Sequence, residues 1–424
     1  MTELRRFSSN RFLHVVLAVY AVIWLITAWR PVDFPTWAIE NLLVVVFIGV
    51  LWVTCRKFTF TNLSYLLMAI FLALHAIGAH TGYARSPAGY WLQSVFHLER
   101  NPYDRLIHCA FGLLLAYPVH ELLARAGGIR NRAGYWLPVA VITAVSAFFE
   151  IVEAVVAEII SPGTGPAWLG AQGDQWDAQM DMGVAFLGSA AAMFLTYFRN
   201  RGSIPHARSS PLPNVVPFRR RRLLQGLIGA YAAIFVIAAI KPVDRSDWLL
   251  ESLLVFVAVP VLVLTYRRFP LSNATYVLAF LFLVLHTAGA HYRYADVPLG
   301  YWLQNTFSLT RNHFDRIVHL SYGLLLTWPA CEILVRACGL RGFWAGAMPP
   351  MLIVAISGLF EILEALVAAI VEPELGAAYL GIQGDVWDAQ QDMALALAGT
   401  IPAVVVFAMT RPAWYPADGK CQVA

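Results

Sequence analysis

Ionisable side chains occur inside otherwise apolar segments of this chain, where a charge is unfavourable to keep. In the first half, Asp104 and His108 are four residues apart, which places a carboxylate and an imidazole on one face of a helix. Glu150 and Glu153 share a helix face in the same way. Carboxylates in a low-dielectric pocket must be protonated, paired with basic side chains or bound to a cation. The pattern therefore predicts a buried site with proton or metal chemistry.

This set of polar residues occurs twice, at an offset of 211 residues and without a gap. The stretch FLALHAIGAH, which starts at Phe71, returns as FLVLHTAGAH from Phe282. A polar residue that both copies keep inside an apolar helix is expected to act in each copy. The predicted metal ligands are His75, His80, Asp104, His108, Asp174, Asp177 and Asp181, with His286, His291, Asp315, His319, Asp385, Asp388 and Asp392 in the second copy. The predicted catalytic residues are Glu150, Glu153 and Arg105, with Glu361, Glu364 and Arg316.

The types of residue narrow the chemistry of this predicted site. Imidazole mixed with carboxylate suits Zn, Mn or Fe, whereas carboxylates alone suit Ca or Mg. A divalent metal is therefore the candidate cofactor, and Glu150 or Glu153 would act as the base on metal-activated water. Arg100 and Arg105 supply positive charge that either pairs with the acids or holds an anionic group of a substrate.

The positions of the polar residues along their predicted helices indicate that they lie at a similar depth in the membrane. At ~1.5 Å per residue, Glu150 lies roughly 20 Å from the start of its helix near Tyr135. His75 and His108 lie within one or two turns of the same end of their segments, and Asp181 opens the next one. We therefore expect one pocket in each copy, toward the non-cytoplasmic face.

Four of these residues also have a structural interpretation. His75 and His80 are typical of interhelical hydrogen bonds, which contribute ~1 kcal/mol or less in a membrane bundle. Asp104 and Asp181 stand where a helix N-cap is expected, and a cap needs no further function. The sequence leaves both interpretations open for each residue.

Other polar residues lie near predicted loops. Asp174 and Asp177 suit a solvated loop as well as a metal site, and Glu40 suits an ordinary surface charge between the first two helices. Tyr83 and Trp91 are typical of the aromatic belt at a membrane surface. These interpretations assign no chemistry to Glu40 or Tyr83.

The composition indicates an integral membrane protein. Of the 424 residues, 59% are hydrophobic and 13% are charged, against roughly 25% charged in soluble domains. Apolar runs of about 20 residues, the length that spans a bilayer, repeat along the chain. We predict an all-α bundle of about twelve transmembrane helices in two parallel six-helix repeats. In the first repeat the runs are 12–29, 38–55, 63–79, 106–124, 135–160 and 182–198.

The repeats define four predicted parts: repeats at 1–198 and 223–410, a basic linker at 199–222 and a tail at 411–424. Most of the 30 Lys and Arg residues fall on the side of the linker and the termini, and the positive-inside rule places that side in the cytoplasm. The site would then open to the periplasm. No basic face is interleaved with aromatic residues, so the expected partner is the lipid bilayer and not a nucleic acid.

Four motifs resemble those of the YjdF family, a family of bacterial inner-membrane proteins of uncharacterised function. They are His-x4-His, Arg-Asn-x2-Asp-Arg-x2-His, Glu-x2-Glu and Gln-Gly-Asp-x-Trp-Asp-x-Gln-x-Asp-Met, and each occurs in both copies. The box Asp104-Arg105-x2-His108 is also similar, more distantly, to the VanZ-like family of cell-envelope proteins. The first resemblance implies an inner-membrane location and a fusion of two units, and neither supplies a reaction.

Three functions remain compatible with the sequence. The first is a metal-assisted hydrolase or transferase that acts on a lipid-linked or other envelope substrate. The second is a proton- or cation-coupled secondary transporter, because parallel repeats and intramembrane carboxylates are typical of transporters. The third is a non-catalytic scaffold. The sequence contains no HExxH, P-loop or serine-hydrolase signature, which argues against zincin proteases, nucleotide-binding proteins and serine hydrolases.

Overall fold

The computed structural model describes residues 7–160, 174, 176–203, 217–370, 385–410 and 412–415. The interior of the predicted linker and most of the predicted tail lie outside this part of the chain. The structure divides into two units, Met1–Pro205 and His206–Ala424. The described residues form fourteen α-helices and short 3-10 turns, which confirms the all-α prediction.

In the first unit, six long helices are joined by short connections, and one short helix precedes the fourth long one. The helices are α1 (Arg11–Ala28), α2 (Phe34–Thr54), α3 (Asn62–Thr81), α4 (Pro87–Phe96), α5 (Tyr103–Arg125), α6 (Ala133–Ile160) and α7 (Asp177–Asn200).

The second unit repeats this order. Its helices are α8 (Arg222–Ala238), α9 (Arg245–Tyr266), α10 (Asn273–Tyr292), α11 (Pro298–Phe307), α12 (Phe314–Cys338), α13 (Phe343–Ile370) and α14 (Asp388–Thr410). Within the described residues, eleven helices are long and apolar enough to cross a membrane, and α8, with 17 residues, is a shorter apolar helix. This set agrees with the prediction of about twelve spans.

The short helix α4 was not expected from the sequence. Pro87 at its first turn has the backbone angle that starts a helix, and His97 ends it in a left-handed conformation (φ 53°). Tyr90, Trp91 and Phe96 are exposed on it. Only ten residues long, α4 cannot span a bilayer, and its aromatic residues are of the kind that lie at the membrane surface.

Helix α5 is central in the first unit, because it packs on α3, α6 and, most extensively, α7. Glycines make the α5–α7 contact close. A Cβ atom at Gly112 would overlap the carbonyl oxygen of Ala185, and one at Gly188 would lie 2.5 Å from the carbonyl oxygen of Cys109. Small residues let two membrane helices approach in this way. The close contact brings the first turns of α5 and α7 together.

Candidate functional site

Three side chains from α5 and α7 form the centre of the site. Asp104, His108 and Asp181 each offer a ligand atom, and these atoms all lie within 4.8 Å of one another. The Nε2 atom of His108 is 3.7 Å from Oδ1 of Asp104. Asp181 is 3% exposed, and its Oδ1 has no hydrogen-bond partner among the described residues. A buried carboxylate oxygen without a donor fits a cation ligand.

The helix boundaries correct the capping interpretation of both acids. Helix α5 begins at Tyr103 and its N-cap is Pro102, so Asp104 lies inside the first turn. Helix α7 begins at Asp177, so Asp181 lies a full turn inside it. The apolar run at 182–198 understated α7 because its first turn is polar and buried. Neither carboxylate is therefore explained as a helix cap.

Two carboxylates of α6 flank this triad. The Oε1 atom of Glu150 is 3.9 Å from Nδ1 of His108 and, among the described residues, has no hydrogen-bond partner. Glu150 is 5% exposed and Glu153, one turn further along, is partly buried. The Glu150 side chain hydrogen bonds with Glu153, so the two acids act as a pair beside the triad.

At the outer edge of the site, two arginines pair with two aspartates. Nη1 of Arg100 is 3.2 Å from Oδ2 of Asp174 and 2.6 Å from Oδ1 of Asp177. Nη2 of Arg105 is 2.5 Å from the same Asp174 oxygen. The Asp174 backbone and side chain also accept hydrogen bonds at the start of α7, from the amides of Asp177 and Trp176. Asp174 and Asp177 thus form ion pairs, where the sequence also allowed a solvated loop.

His75 is held by two hydrogen bonds and belongs to the wall of the site. Its Nε2 atom is 3.3 Å from the carbonyl oxygen of Glu40, which can only accept, so Nε2 carries the proton. Its Nδ1 atom therefore accepts the hydrogen bond that the Tyr83 hydroxyl donates at 2.6 Å. With both ring nitrogens engaged, His75 has no free lone pair for a metal in this arrangement.

Tyr83 and Glu40 are site residues that the sequence reasoning missed. Tyr83 points its hydroxyl at His75 instead of standing in an aromatic belt. Burial raises the pKa of Tyr83 well above its usual value, and the nearby charges of Glu40, Asp104 and Glu153 raise it further. Glu40 lies within electrostatic reach of Asp104 and Glu153, so it is not an ordinary surface charge. The recurrence of Glu40 as Glu251 was the available signal.

His80 lies apart from the triad. Its Nδ1 atom is 2.8 Å from the carbonyl oxygen of Thr27 on α1. Nearby, the amide of Val32 donates to the carbonyl oxygen of His80 itself at 3.0 Å. These bonds tie α1 and the α1–α2 connection to α3, which fits the interhelical alternative for this residue. His291 makes the corresponding bond to the carbonyl oxygen of Ala238 at 2.8 Å.

Asn101 fixes the entry into α5. Its side-chain nitrogen donates to the carbonyl oxygen of Ser86 at 3.0 Å, and its Oδ1 accepts from the amide of Tyr103 at 3.1 Å. It packs so closely on α4 that a Cβ at Gly89 would overlap its side chain. This contact sets where Arg100 and Asp104 stand.

The second unit has the same centre with one rearrangement. Asp315, His319 and Asp392 place their ligand atoms within 4.8 Å of one another, and Nε2 of His319 is 3.6 Å from Oδ1 of Asp315. His286 keeps both hydrogen bonds, to the carbonyl oxygen of Glu251 at 3.0 Å and to Tyr294.

The rearrangement concerns the arginines and acids of the second unit. Arg311 pairs with Asp385 and Asp388, and Arg316 reaches Asp392 as well as those two.

The carboxyl pair is also present in the second unit. Glu361 is 5% exposed, Glu364 is partly buried, and the two side chains hydrogen bond with each other. His313 stands between the α11–α12 connection and α12, where the first unit has Pro102. Burial lowers the pKa of His313, and the positive charges of Arg311 and Arg316 lower it further. Gln172 and Gln383, which precede the Asp-rich turns, lie outside the described residues.

A separate polar cluster lies at the opposite end of α5. Glu121 accepts hydrogen bonds from the Thr61 amide at 2.9 Å, the Thr61 hydroxyl at 2.8 Å and the Ser64 hydroxyl at 2.5 Å, and it pairs with Arg125. Glu332 makes the equivalent contacts in the second unit with Ser272, Thr275 and Arg336. These acids are fully satisfied and join the start of α3 to α5, or α10 to α12.

Comparison with known proteins gives the family. The sequence model of a family described as "Predicted membrane protein (DUF2238)" matches residues 12–202 and again 223–413. The chain is 36% identical over 176 residues to the inner membrane protein YjdF of Escherichia coli (strain K12). That alignment covers 41% of this chain and 84% of the relative. No solved structure matches. Since the family model accounts for both copies, the chain belongs to the DUF2238 family of membrane proteins, as a tandem duplication of the unit found in YjdF.

Proposed function

We propose that this protein is a membrane-embedded, metal-dependent hydrolase or transferase, with Asp104, His108 and Asp181 as metal ligands. The observation that supports it best is the convergence of their ligand atoms within 4.8 Å, with one buried Asp181 oxygen lacking a donor among the described residues. Three protein ligands of this type leave coordination positions open for water and substrate.

The charge balance of the pocket favours a cation. Arg100 and Arg105 are matched by Asp174 and Asp177 in ion pairs. The remaining acids of the site are the buried Glu150 and Asp181 and the partly buried Glu40, Asp104 and Glu153. Several acids in one low-dielectric pocket require protons or a bound cation, and the imidazole of His108 favours Zn, Mn or Fe over Mg or Ca.

The reaction assigned to these groups is a hydrolytic or group-transfer step. A metal held by Asp104, His108 and Asp181 would lower the pKa of a bound water, and the Glu150 oxygen that lacks a hydrogen-bond donor among the described residues would accept the proton of the water that attacks the electrophilic centre of the substrate. The bond to the leaving group breaks as the leaving oxygen takes a proton from the Glu150–Glu153 pair. In a transferase an acceptor hydroxyl replaces the water. Arg105 would contact an anionic group of the substrate, and the exposure of 31% of its side chain supports this role.

The location of the site favours a lipid-linked or envelope substrate. Helix α4 presents Tyr90, Trp91 and Phe96 outward, as helices at a membrane surface do. Only the residues from His97 to Pro102 separate α4 from α5, so Asp104 stands near the same level. A reactive centre at that depth meets the polar groups of lipid-linked molecules.

The transporter alternative has less support. Transport would need acids that exchange a proton or ion on the other side of the membrane, and Glu121 and Glu332 are the recurrent acids there. Each is enclosed by hydroxyl, amide and guanidinium donors. Their geometry is that of a structural link between helices.

Metal analysis tests the proposal directly. The full chain, purified in detergent and dialysed against Zn²⁺ or Mn²⁺, should hold stoichiometric metal by elemental analysis. The double variant His108→Ala with His319→Ala should hold none, because a ligand is lost in both repeats. His120→Gln is the matched control, since His120 bonds the carbonyl oxygen of Gly134 at 2.6 Å, far along α5 from the triad. Wild-type protein without stoichiometric metal would end the metal proposal.

Activity is tested with lipids extracted from bacterial inner membranes. Metal-loaded protein should convert a lipid-linked component into products that differ from it by addition of water or exchange of a headgroup, detected by mass spectrometry. The His108→Ala, His319→Ala protein should leave the extract unchanged. A scaffold would leave the extract unchanged even when wild type and fully loaded.

We also propose that both termini are cytoplasmic and that the site opens to the periplasm. The basic residues around the linker and the ends of the chain support this orientation. Green fluorescent protein fused after residue 424 should fluoresce, and alkaline phosphatase fused there should be inactive. The reverse pattern would place the site on the cytoplasmic side.

A further inference from the structure

We infer that only the first repeat binds the metal ion and that, in the second repeat, the guanidinium of Arg316 takes its place. The inference rests on the proposed metal-dependent function and states which copy performs it. The two repeats share all seven acids and both arginines of the site, so the difference lies in how these groups are paired.

In the first repeat the arginine stays at the rim. Nη2 of Arg105 is 2.5 Å from Oδ2 of Asp174, and the described residues show no ion pair between Arg105 and Asp181. The side chain of Arg105 is 31% exposed, whereas Asp181 is 3% exposed. The Oδ1 atoms of Asp181 and Asp392 both lack a hydrogen-bond partner among the described residues, so the two repeats differ in the ion pair and not in this respect.

In the second repeat the equivalent arginine is buried in the site. Nη1 of Arg316 is 2.6 Å from Oδ1 of Asp392 and 2.9 Å from the carbonyl oxygen of Asp388. Its Nη2 atom is 2.8 Å from Oδ1 of Asp388, and the side chain is 8% exposed. Asp392, which corresponds to Asp181 of the first repeat, is thus already neutralised by the guanidinium of Arg316.

A sequence difference next to the acids accompanies this change. Met180 of the first repeat is replaced by Gln391, whose Nε2 donates to Oδ2 of Asp385 at 3.1 Å. Asp385 therefore has a neutral donor that Asp174 cannot receive from a methionine. Arg316 correspondingly binds less closely to the aspartate at the edge of the site. Its Nη2 atom is 3.1 Å from Oδ2 of Asp385, whereas Nη2 of Arg105 is 2.5 Å from Oδ2 of Asp174.

The two cations exclude each other. A divalent ion at Asp392 would stand within a few ångströms of the Arg316 guanidinium, where like charges in a buried site repel strongly. Binding there would also require Arg316 to leave its contacts with Asp388 and Asp392. The first repeat is thus expected to be the reactive copy. In the second repeat, the positive charge of Arg316 prevents metal binding.

The experiment compares isosteric variants at equivalent positions in the full chain, with Zn²⁺ and Mn²⁺ as probes. Wild type should bind one equivalent per chain, Asp181→Asn none, and Asp392→Asn one. Removal of the blocking charge by Arg316→Gln should raise the content to two equivalents, whereas the matched Arg105→Gln variant should stay at one. Size-exclusion profiles and thermal unfolding confirm that each variant is folded.

The outcomes separate this inference from the proposed function. Two equivalents in wild type, with one lost in Asp392→Asn, would overturn the inference and leave the metal site in place. The inference would also be overturned if wild type bound one equivalent of metal and the Asp392→Asn variant lost it while Asp181→Asn kept it. No metal in wild type would refute the proposed function itself. If Arg316→Gln does not fold, the Asp181 and Asp392 pair still decides the question.

Discussion

The Nδ1 atom of His108 and the Oε1 atom of Glu150 face each other at 3.9 Å, on the edge of the imidazole away from Asp104. This separation is longer than a hydrogen bond, so the Glu150 oxygen is not committed to the histidine. In the part of the chain that the structure describes, that oxygen has no other donor. A carboxylate in this position can accept a proton from water held by the triad.

Replacement of this base should separate metal binding from turnover. In Glu150→Gln with Glu361→Gln, the amide keeps the shape of the side chain but cannot accept the proton. The rate of conversion in the lipid-extract assay should fall about 10²- to 10⁴-fold, the usual effect of losing a general base. Metal content by elemental analysis should stay unchanged, because Glu150 is not among the three ligands.

Glu158→Gln is the control, since Glu158 lies on the same helix and is exposed. It should have the wild-type rate. Full activity in the double glutamine variant would remove Glu150 from the mechanism, and loss of its metal would make Glu150 a ligand instead of a base.

The close approach of α5 and α7 should be sensitive to a single methyl group. In Gly112→Ala the new Cβ would overlap the backbone of α7 at Ala185, so the helices must separate. Overpacking of this kind costs about 1–3 kcal/mol and should lower the thermal unfolding midpoint in detergent. Zn²⁺ affinity, measured by competition with a chelator, should fall with it, because Asp181 moves away from His108.

Gly49→Ala is the control for this glycine, since a Cβ at Gly49 meets nothing within 4 Å. Alanine is the better helix former there, and stability should be unchanged or slightly higher. Equal effects at Gly49 and Gly112 would show that the helix contact is not as tight as described.

The Glu121 cluster should contribute stability and no activity. Glu121→Ala removes the acceptor of the Thr61 and Ser64 donors and leaves Arg125 without its carboxylate. A buried donor left without its acceptor, such as the Ser64 hydroxyl, costs about 1–3 kcal/mol, which denaturant unfolding would detect. Metal content of the folded fraction should be that of wild type.

Exposed Glu158 again provides the comparison, since Glu158→Ala should change stability by only about 0.5 kcal/mol or less. A Glu121→Ala protein of normal stability that fails to take up a solute in liposomes would favour the transporter alternative.

Tyr83 should contribute to the fall in unfolding free energy at alkaline pH. Burial and neighbouring acids raise its pKa in the folded protein above the ordinary value, so the folded state retains the hydroxyl proton longer than the unfolded chain. This contribution is complete below about pH 10, the unfolded pKa, and is lost as the pH rises toward the folded pKa. Tyr83→Phe should therefore show a smaller fall in unfolding free energy above that pH than wild type.

At neutral pH the same variant leaves Nδ1 of His75 without the donor that the hydroxyl supplies. Loss of one partner of a buried hydrogen bond costs about 1–3 kcal/mol. Tyr90→Phe, at an exposed position on α4, is the comparison and should match wild type at every pH. Identical alkaline curves for Tyr83→Phe and wild type would show that Tyr83 does not titrate differently in the folded state.

The membrane architecture could be predicted from sequence because it depends on local properties. An apolar run must be long enough to satisfy its own backbone across a bilayer, and its length is visible without any partner. The repeat was equally plain, since Asp104, Glu150 and Asp181 return together at a single offset. The short helix α4 could not be predicted because its ten residues of mixed polarity form neither a long apolar run nor a clear helical repeat.

The sequence alone established that His, Asp and Glu side chains stand within apolar helices. The identity of each residue and its spacing along a helix can be read without knowledge of any other helix. Only the tertiary structure decided which of them meet: His108 with Asp181, His75 with Tyr83, and Arg316 with Asp392 but Arg105 with Asp174. The reason is that these pairs join separate elements of the chain. The distance between His108 and Asp181 depends on how closely α5 and α7 pack at Gly112 and Gly188, and the second unit has the corresponding close contact at Gly323 and Gly399. Spacing within one helix carries no information about that approach.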